Sequence, residues 1–250
     1  CENDYYTMPG VCYNTQGQEY TTLVAAEMGF DKESYDGKTM IRLRANNGDI
    51  ADLKKQAMDE LSAVGVTFPV KAVYYIMAGS TTALDTATVL KQCFTDSFGD
   101  DFIVLDIKTY VSSITQEVRN PQLQSFVING WGADFGDPVN FLGQEILHDD
   151  NAYYSWYYSN IAKVVEAGAA DWQKDLVAAY EEFTDLVNTA KAIVDDVDAR
   201  YAAFAKAEAC LLNNVLDCPC NFEVSWCLTH ANEYSKINAM YGPCNYKAVN

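Results

Sequence analysis

Basic residues are scarce in this chain: 17 lysines and arginines stand against 35 aspartates and glutamates in 250 residues, a formal charge of −18. Such a balance repels nucleic-acid phosphate and anionic lipid surfaces, and it favours solubility and cationic ligands. Nucleic acid is excluded as a partner on this ground. Long apolar runs are lacking too. The longest candidate, VKAVYYIMAG, is interrupted by Lys71 and falls short of the ~20 residues that cross a bilayer. Histidine is limited to His148 and His230, far apart and without serine or cysteine at motif spacing, so each is expected at the surface or as a satisfied core residue. There is no GxxxxGK phosphate loop, no GxGxxG, no HExxH and no GxSxG, which removes the common signatures of nucleotide binding, zinc proteolysis and serine hydrolysis.

Cysteine is present but unpatterned. Cys1, Cys12, Cys93, Cys210, Cys218, Cys220, Cys227 and Cys244 are too sparse for a small disulfide scaffold and too irregular for a zinc site. Cys218-Pro219-Cys220 lacks the CxxC spacing of a redox or metal pair, and buried thiols are the expectation. Cys1 stands where a lipid-modified residue of an exported lipoprotein would stand. No hydrophobic signal precedes it, so an arbitrary start of the chain is the expected account. No metal and no cofactor is implied.

What is there is the makings of a core, with 49% hydrophobic residues, enough for one large or two small domains. From Gly37 to Gly130 strand and helix patterns alternate. KTMIRLRA (Lys38 to Ala45) reads as a strand. Asp49 is expected to cap a helix in IADLKKQAMDELSAV, whose Ile50, Leu53, Ala57, Leu61 and Val64 share one face until Gly65 ends it. A second strand in VTFPVKAVYYIM follows, then a helix after Ser80 in TTALDTATVLKQCFTDSF, a third strand in FIVLDI, a short helix after Ser112 and a fourth strand in SFVING. This order predicts an α/β layer architecture with a mainly parallel sheet.

Past residue 150 the character changes. NAYYSWYYSN packs four tyrosines and a tryptophan into ten residues, so some of those rings must be covered. Leu176, Tyr180, Phe183, Val187, Ala190, Val194, Val197, Tyr201 and Phe204 step by three and four. They form a seam read here as the core face of a helix pair, with a cap in Asp195-Asp196-Val197-Asp198. DCPCNFEVSWCLTH then reads as a β-type run.

The predicted fourth strand runs into NGWGADFGDPVNFL, Asn129 to Leu142. In open α/β sheets the loops beyond the carboxyl ends of strands are where ligands are held. Asp134 and Asp137 admit several readings. As a glycosidase pair they would need differently tuned carboxyls roughly 5–10 Å apart. As a calcium site they would need further oxygens, which Asp149 and Asp150 could lend. As a turn, Gly136-Asp137-Pro138 needs no function. A fourth reading uses more of the residues: a carboxylate pairs with an ammonium, Gly130 and Gly132 leave backbone groups open to an extended ligand, and Trp131 adds flat apolar surface. That combination describes a peptide held by its main chain and amino terminus.

GWGADFGDPVNFL resembles the motif in the C-terminal lobe of the dipeptide and oligopeptide substrate-binding proteins of ABC importers, the family 5 extracellular solute-binding proteins. ARYAAFAKAEACLLNNVLDCPCNFEVSW resembles the same family's helix ending in a YAKAE-like run, its short loop and the strand that returns to the first lobe. The resemblance spans the chain from about Gly37 onward. It implies an α/β lobe of the periplasmic-binding-protein type (type II, the oligopeptide-binder cluster), with a mixed, mostly parallel sheet flanked by helices. It also implies a two-lobed receptor that closes on peptide, delivers it to a membrane permease and performs no chemistry. Asp134 would pair with the peptide α-amino group, Gly130 and Gly132 would offer backbone hydrogen bonds, Trp131 would line the cleft, and Asp137 would be structural.

A full member is about twice this length, beyond the usual size of one domain. The expected organisation is therefore a leading segment 1–36, a C-terminal ligand-binding lobe 37–217, and a segment 218–250 returning toward an N-terminal lobe that this chain lacks. The expected location is extracytoplasmic, with a lipid anchor in the parent protein. Two rival functions stay open. One keeps the fold but binds an oligosaccharide or a metal chelate, with Tyr153 to Tyr158 stacking a sugar. The other is a glycoside hydrolase using Asp134 and Asp137.

Overall fold

A computed structural model describes residues 3–29, 47–128 and 132–219. The expected strand at 38–45, the β-type run and return segment beyond 219, His230, and Gly130 and Trp131 lie outside these residues. In chain order the described elements are α1 (Tyr20–Glu27), α2 (Asn47–Ala63), β1 (Val70–Met77), α3 (Thr81–Phe98), β2 (Ile103–Tyr110), α4 (Pro138–Leu142), α5 (Tyr153–Tyr157), α6 (Ile161–Ala167), α7 (Lys174–Lys191) and α8 (Val197–Asn213). They divide between two compact units. One comprises Leu43–Asn129 with Tyr157–Ser159; the other comprises Cys1–Arg42, Gly130–Trp156 and Asn160–Asn250.

The smaller unit is built on a β1–α3–β2 crossover. Its strands pair in parallel from Val70↔Ile103 to Met77↔Tyr110, and a parallel pair needs a connection of helix length. The sequence supplies it residue for residue: Ser80 Oγ accepts the Ala83 N–H at 3.2 Å as the N-cap. At the other end Gly99 takes φ +73°, and a Cβ there would meet Asp101 Oδ1 at 2.6 Å. Ile76, Ala87, Phe102, Leu105 and Val118 are buried. Phe126 stacks between Tyr74 (5.3 Å) and Phe94 (5.7 Å).

Several expectations change in this unit. Helix α2 begins at Asn47 rather than after a cap at Asp49. β1 begins at Val70, behind a cis Phe68–Pro69 bond, so VTF is not strand. The short helix after Ser112 is one wide turn, Thr115–Arg119, closed by Asn120 N–H to Thr115 O at 2.8 Å. Residues 125–128 of SFVING form no strand. Ser125 N–H donates to Val73 O at 2.9 Å, but the return bond from Val73 N–H goes to Ser125 Oγ, also at 2.9 Å. The hydroxyl takes the donor that a ladder carbonyl would have taken, and the pairing stops.

In the larger unit α7 and α8 form a helical hairpin. Asp196 caps α8 by accepting the Ala199 N–H at 2.9 Å, within the run expected to start a second helix. The middle of the predicted seam is core: Tyr180, Phe183, Val187, Ala190, Tyr201 and Phe204 are buried. Its margins are not. Leu176, Val194 and Val197 are exposed, because Leu176 lies in the first turn of α7 and the other two flank the hairpin bend. Leu142 and Ile146 join this core, as do Cys12, Tyr20 and Val24 from the first 29 residues. Within the aromatic cluster Tyr154 is buried while Tyr153 and Tyr157 are exposed.

Burial fits only one of the four described thiols. Cys12 is buried, which pushes it up to about 12, but Cys210 is half-buried, and Cys93 and Cys218 are exposed. Among the described residues no helix is long and apolar enough to cross a membrane.

Candidate functional site

The GADFGDP turn, at the entrance to α4, is built from its backbone outward. Asp137 sits in extended conformation and accepts the Val139 N–H at 2.9 Å, capping α4, and Pro138 occupies the first helical position, where a missing N–H costs nothing. Two residues on, buried Asn140 turns its side chain back over the turn: Oδ1 accepts the Asp134 N–H at 3.0 Å. The loop from 134 to 137 is thus pinned at both ends by α4.

The two aspartates have opposite fates. Asp137 is fixed by Arg200 in the first turns of α8, with Nε donating to Oδ2 at 2.9 Å and Nη2 to Oδ1 at 3.0 Å. The remaining nitrogen of that guanidinium donates to the carbonyls of Ala190, Lys191 and Ile193 at 3.2, 3.2 and 3.0 Å. These carbonyls belong to the α7 terminus, where helical donors run short; Ala190 O also accepts the Ile193 N–H at 3.2 Å. The guanidinium also lies 4.8 Å from the centre of the Phe204 ring. Asp134, by contrast, is exposed. Among the described residues its carboxylate accepts no hydrogen bond and meets no lysine or arginine. Gly132 is exposed as well, and a Cβ on it would meet nothing within 4 Å.

Of the other two acids considered from sequence, Asp149 is engaged elsewhere. Asp149 accepts the Asn151 N–H at 2.9 Å and stands 3.8 Å from Lys191 Nζ. His148 is exposed and paired with Glu181 at 2.9 Å. Among the described residues no group of histidine, cysteine and acidic side chains is placed to hold a metal ion.

Sequence reasoning missed the buried acids that tie the first residues of the chain to α8 and to the end of α4. Glu208, the glutamate of the AKAE run, is fully buried, yet it accepts the Tyr6 and Thr7 N–H groups at 2.9 and 3.1 Å and the Thr7 hydroxyl at 2.6 Å. Burial pushes its carboxyl up to about 7 against those bonds. Glu145, just past α4, is also buried and accepts the Tyr6 hydroxyl at 3.2 Å. Desolvation, aided by the charge of Asp217, raises it to about 8. A charged residue at a core position of the helical period was the available signal for Glu208.

With this geometry in hand, the chain can be set beside known proteins. No protein-family model matches it. In sequence it is similar to the oligopeptide-binding protein AliA of Streptococcus pneumoniae, 26% identical over 175 residues, which are 66% of this chain and 25% of AliA. The chain spans about a quarter of the length of the curated relatives it matches. In structure it superposes on a peptide-binding protein of a peptide ABC transporter with a TM-score of 0.56 at 13% identity, covering 87% of this chain and 78% of that one. The chain has the fold of the ABC-transporter peptide-binding proteins. The substrate-binding domain of an oligopeptide ABC transporter from Bacillus anthracis agrees, with a TM-score of 0.55 at 15% identity over 86% of this chain and 33% of that one. The α/β expectation holds in this peptide-binding-protein fold, with its parallel strand pair and flanking helices.

Proposed function

We propose that this chain is the ligand-binding lobe of an extracytoplasmic oligopeptide receptor that hands peptides to the membrane permease of an ABC importer. The observation that carries the reading is the contrast between the two aspartates. Asp137 is consumed by a helix cap and an arginine fork, while the Asp134 carboxylate, three residues away on a pinned loop, faces solvent. An anchored, uncompensated carboxylate suits the α-ammonium of a peptide. The open backbone at Gly132 suits the peptide main chain, and by resemblance Gly130 adds a second backbone contact and Trp131 a wall. A second lobe of the same protein would close over the ligand, and a lipid anchor would hold the receptor at the membrane. No step of chemistry is assigned. A glycosidase would need Asp137 free as the second carboxyl, and its engagement with Arg200 speaks against that role.

The test is calorimetric titration of the full-length protein with free peptides, their N-acetylated forms and oligosaccharides. Free peptides should bind and acetylated ones should bind more weakly. Asp134→Asn should weaken peptide binding by about 1.5–3 kcal/mol, the range for a hydrogen bond to a charged group. Unchanged affinity removes Asp134 from the site, and turnover of a glycan would establish the hydrolase instead. The lone lobe should bind poorly, since much of the ligand would stay in water.

A further inference from the structure

The backbone from which Asp134 projects its carboxylate is held by Asn140, and through Asp137 by Arg200, two residues that the resemblance does not mention. We propose that Asn140 and Arg200 are positioning residues for recognition of the ligand's amino group; this rests on the reading of Asp134 given above.

The chain of contacts is short and continuous. Asp134 is held by its own N–H on Asn140 Oδ1 at 3.0 Å. Asn140 is held in turn by its N–H on Asp137 O at 3.0 Å. Asp137 is held by the paired bonds to Arg200 at 2.9 and 3.0 Å. Arg200 is anchored by three carbonyls at the end of α7 and by the ring of Phe204. A loop at a helix N-terminus would otherwise be free to swing, and a swinging carboxylate pays in lost side-chain and backbone freedom when a ligand fixes it. Here the backbone share of that ordering is in place before the ligand arrives, through the Asp134 N–H held by Asn140. Lysine cannot replace Arg200 in this role, because one ammonium on a flexible stem matches neither the two-pronged carboxylate contact nor the simultaneous reach to three carbonyls. The cap on α4 is a separate bond, from the Val139 N–H to Asp137 Oδ1 at 2.9 Å. What Arg200 adds is a fixed bearing between α4 and the α7–α8 bend.

The test compares penta-alanine with N-acetyl-penta-alanine in the full-length protein and reads the ratio of their affinities. That ratio is measured per folded molecule, so a loss of stability alone leaves it unmoved. Asn140→Ala removes the hold on the Asp134 amide and keeps the arginine clamp; Arg200→Lys does the reverse and keeps the charge. Each should lower the preference for the free amine about tenfold, and Asp134→Asn should lower it at least as far. If Asp134→Asn lowers the ratio but Asn140→Ala and Arg200→Lys leave it at the wild-type value, the positioning role is overturned and the amine reading stands. If Asp134→Asn itself leaves the ratio unchanged, the amine reading fails and the positioning role falls with it.

Discussion

Arg200 and Asp137 lie 63 residues apart in sequence, yet they meet through two parallel bonds, Nε to Oδ2 at 2.9 Å and Nη2 to Oδ1 at 3.0 Å. The side chains retain only 16% and 23% of their exposure. A two-pronged contact so shielded is specific in direction as well as favourable in energy, and it makes the turn before α4 and the bend between α7 and α8 one rigid piece.

That pairing should appear as coupling energy. Asp137→Ala and Arg200→Met are each expected to destabilise the chain by about 1.5–3 kcal/mol, and the double variant by less than their sum, with a coupling of about 1 kcal/mol or more. Urea unfolding of the four proteins measures it. Strict additivity would show that the two groups act independently.

Glu208 should matter more than its place in a helix suggests. Glu208→Ala leaves the Tyr6 and Thr7 N–H groups and the Thr7 hydroxyl without their acceptor, and buried unpaired donors cost about 1–3 kcal/mol each. A loss of about 3 kcal/mol or more is expected, together with faster amide exchange over residues 3–29. Glu208→Gln keeps one acceptor oxygen and should lose less. Unaltered exchange at Tyr6 and Thr7 would show that the leading residues are held by something else.

Stability should rise on acidification from pH 8.5 toward 5. Burial raises Glu145 to about 8 and Glu208 to about 7, and it raises Asp217 as well. A raised carboxyl contributes stability that is full below the ordinary carboxylate range, and that stability is lost as pH climbs through the folded value. The opposite sign applies to Glu117, lowered to about 2 by the Val111, Ser113 and Ser112 amides, and to Asp198, lowered by Thr15; their contributions fade only in stronger acid. A maximum near pH 5 is expected in thermal melts, and Glu145→Gln should flatten the alkaline limb. A melting temperature that climbs from pH 5 to 8.5 would contradict the burial of these acids.

Local rules made much of the fold legible. Ser80 and Gly99 bracket α3 because a hydroxyl cap and a positive-φ glycine act on their immediate neighbours. Asp196 starts α8 for the same reason, and the three-and-four spacing of Tyr180, Phe183 and Val187 places them inside because that spacing is a helix face. The reading failed where the deciding partner was distant or unexpected. SFVING has the composition of a strand, but Ser125 Oγ captures the Val73 N–H and ends the ladder. Leu176, Val194 and Val197 keep the seam's period, but among the described residues nothing covers them.

The candidate site divides the same way. Sequence alone picked out the GADFGDP turn and the acidic character of the chain, because these rest on residue type, and the family resemblance implied a structural Asp137 beside a ligand-facing Asp134. Only the tertiary structure chose Arg200 to hold Asp137, Asn140 to hold Asp134, and Glu208 to tie down residues some 200 positions away. Long-range polar pairs depend on where the chain returns in space, and hydrophobic periodicity, which directs that return, does not say which charged group will be waiting there.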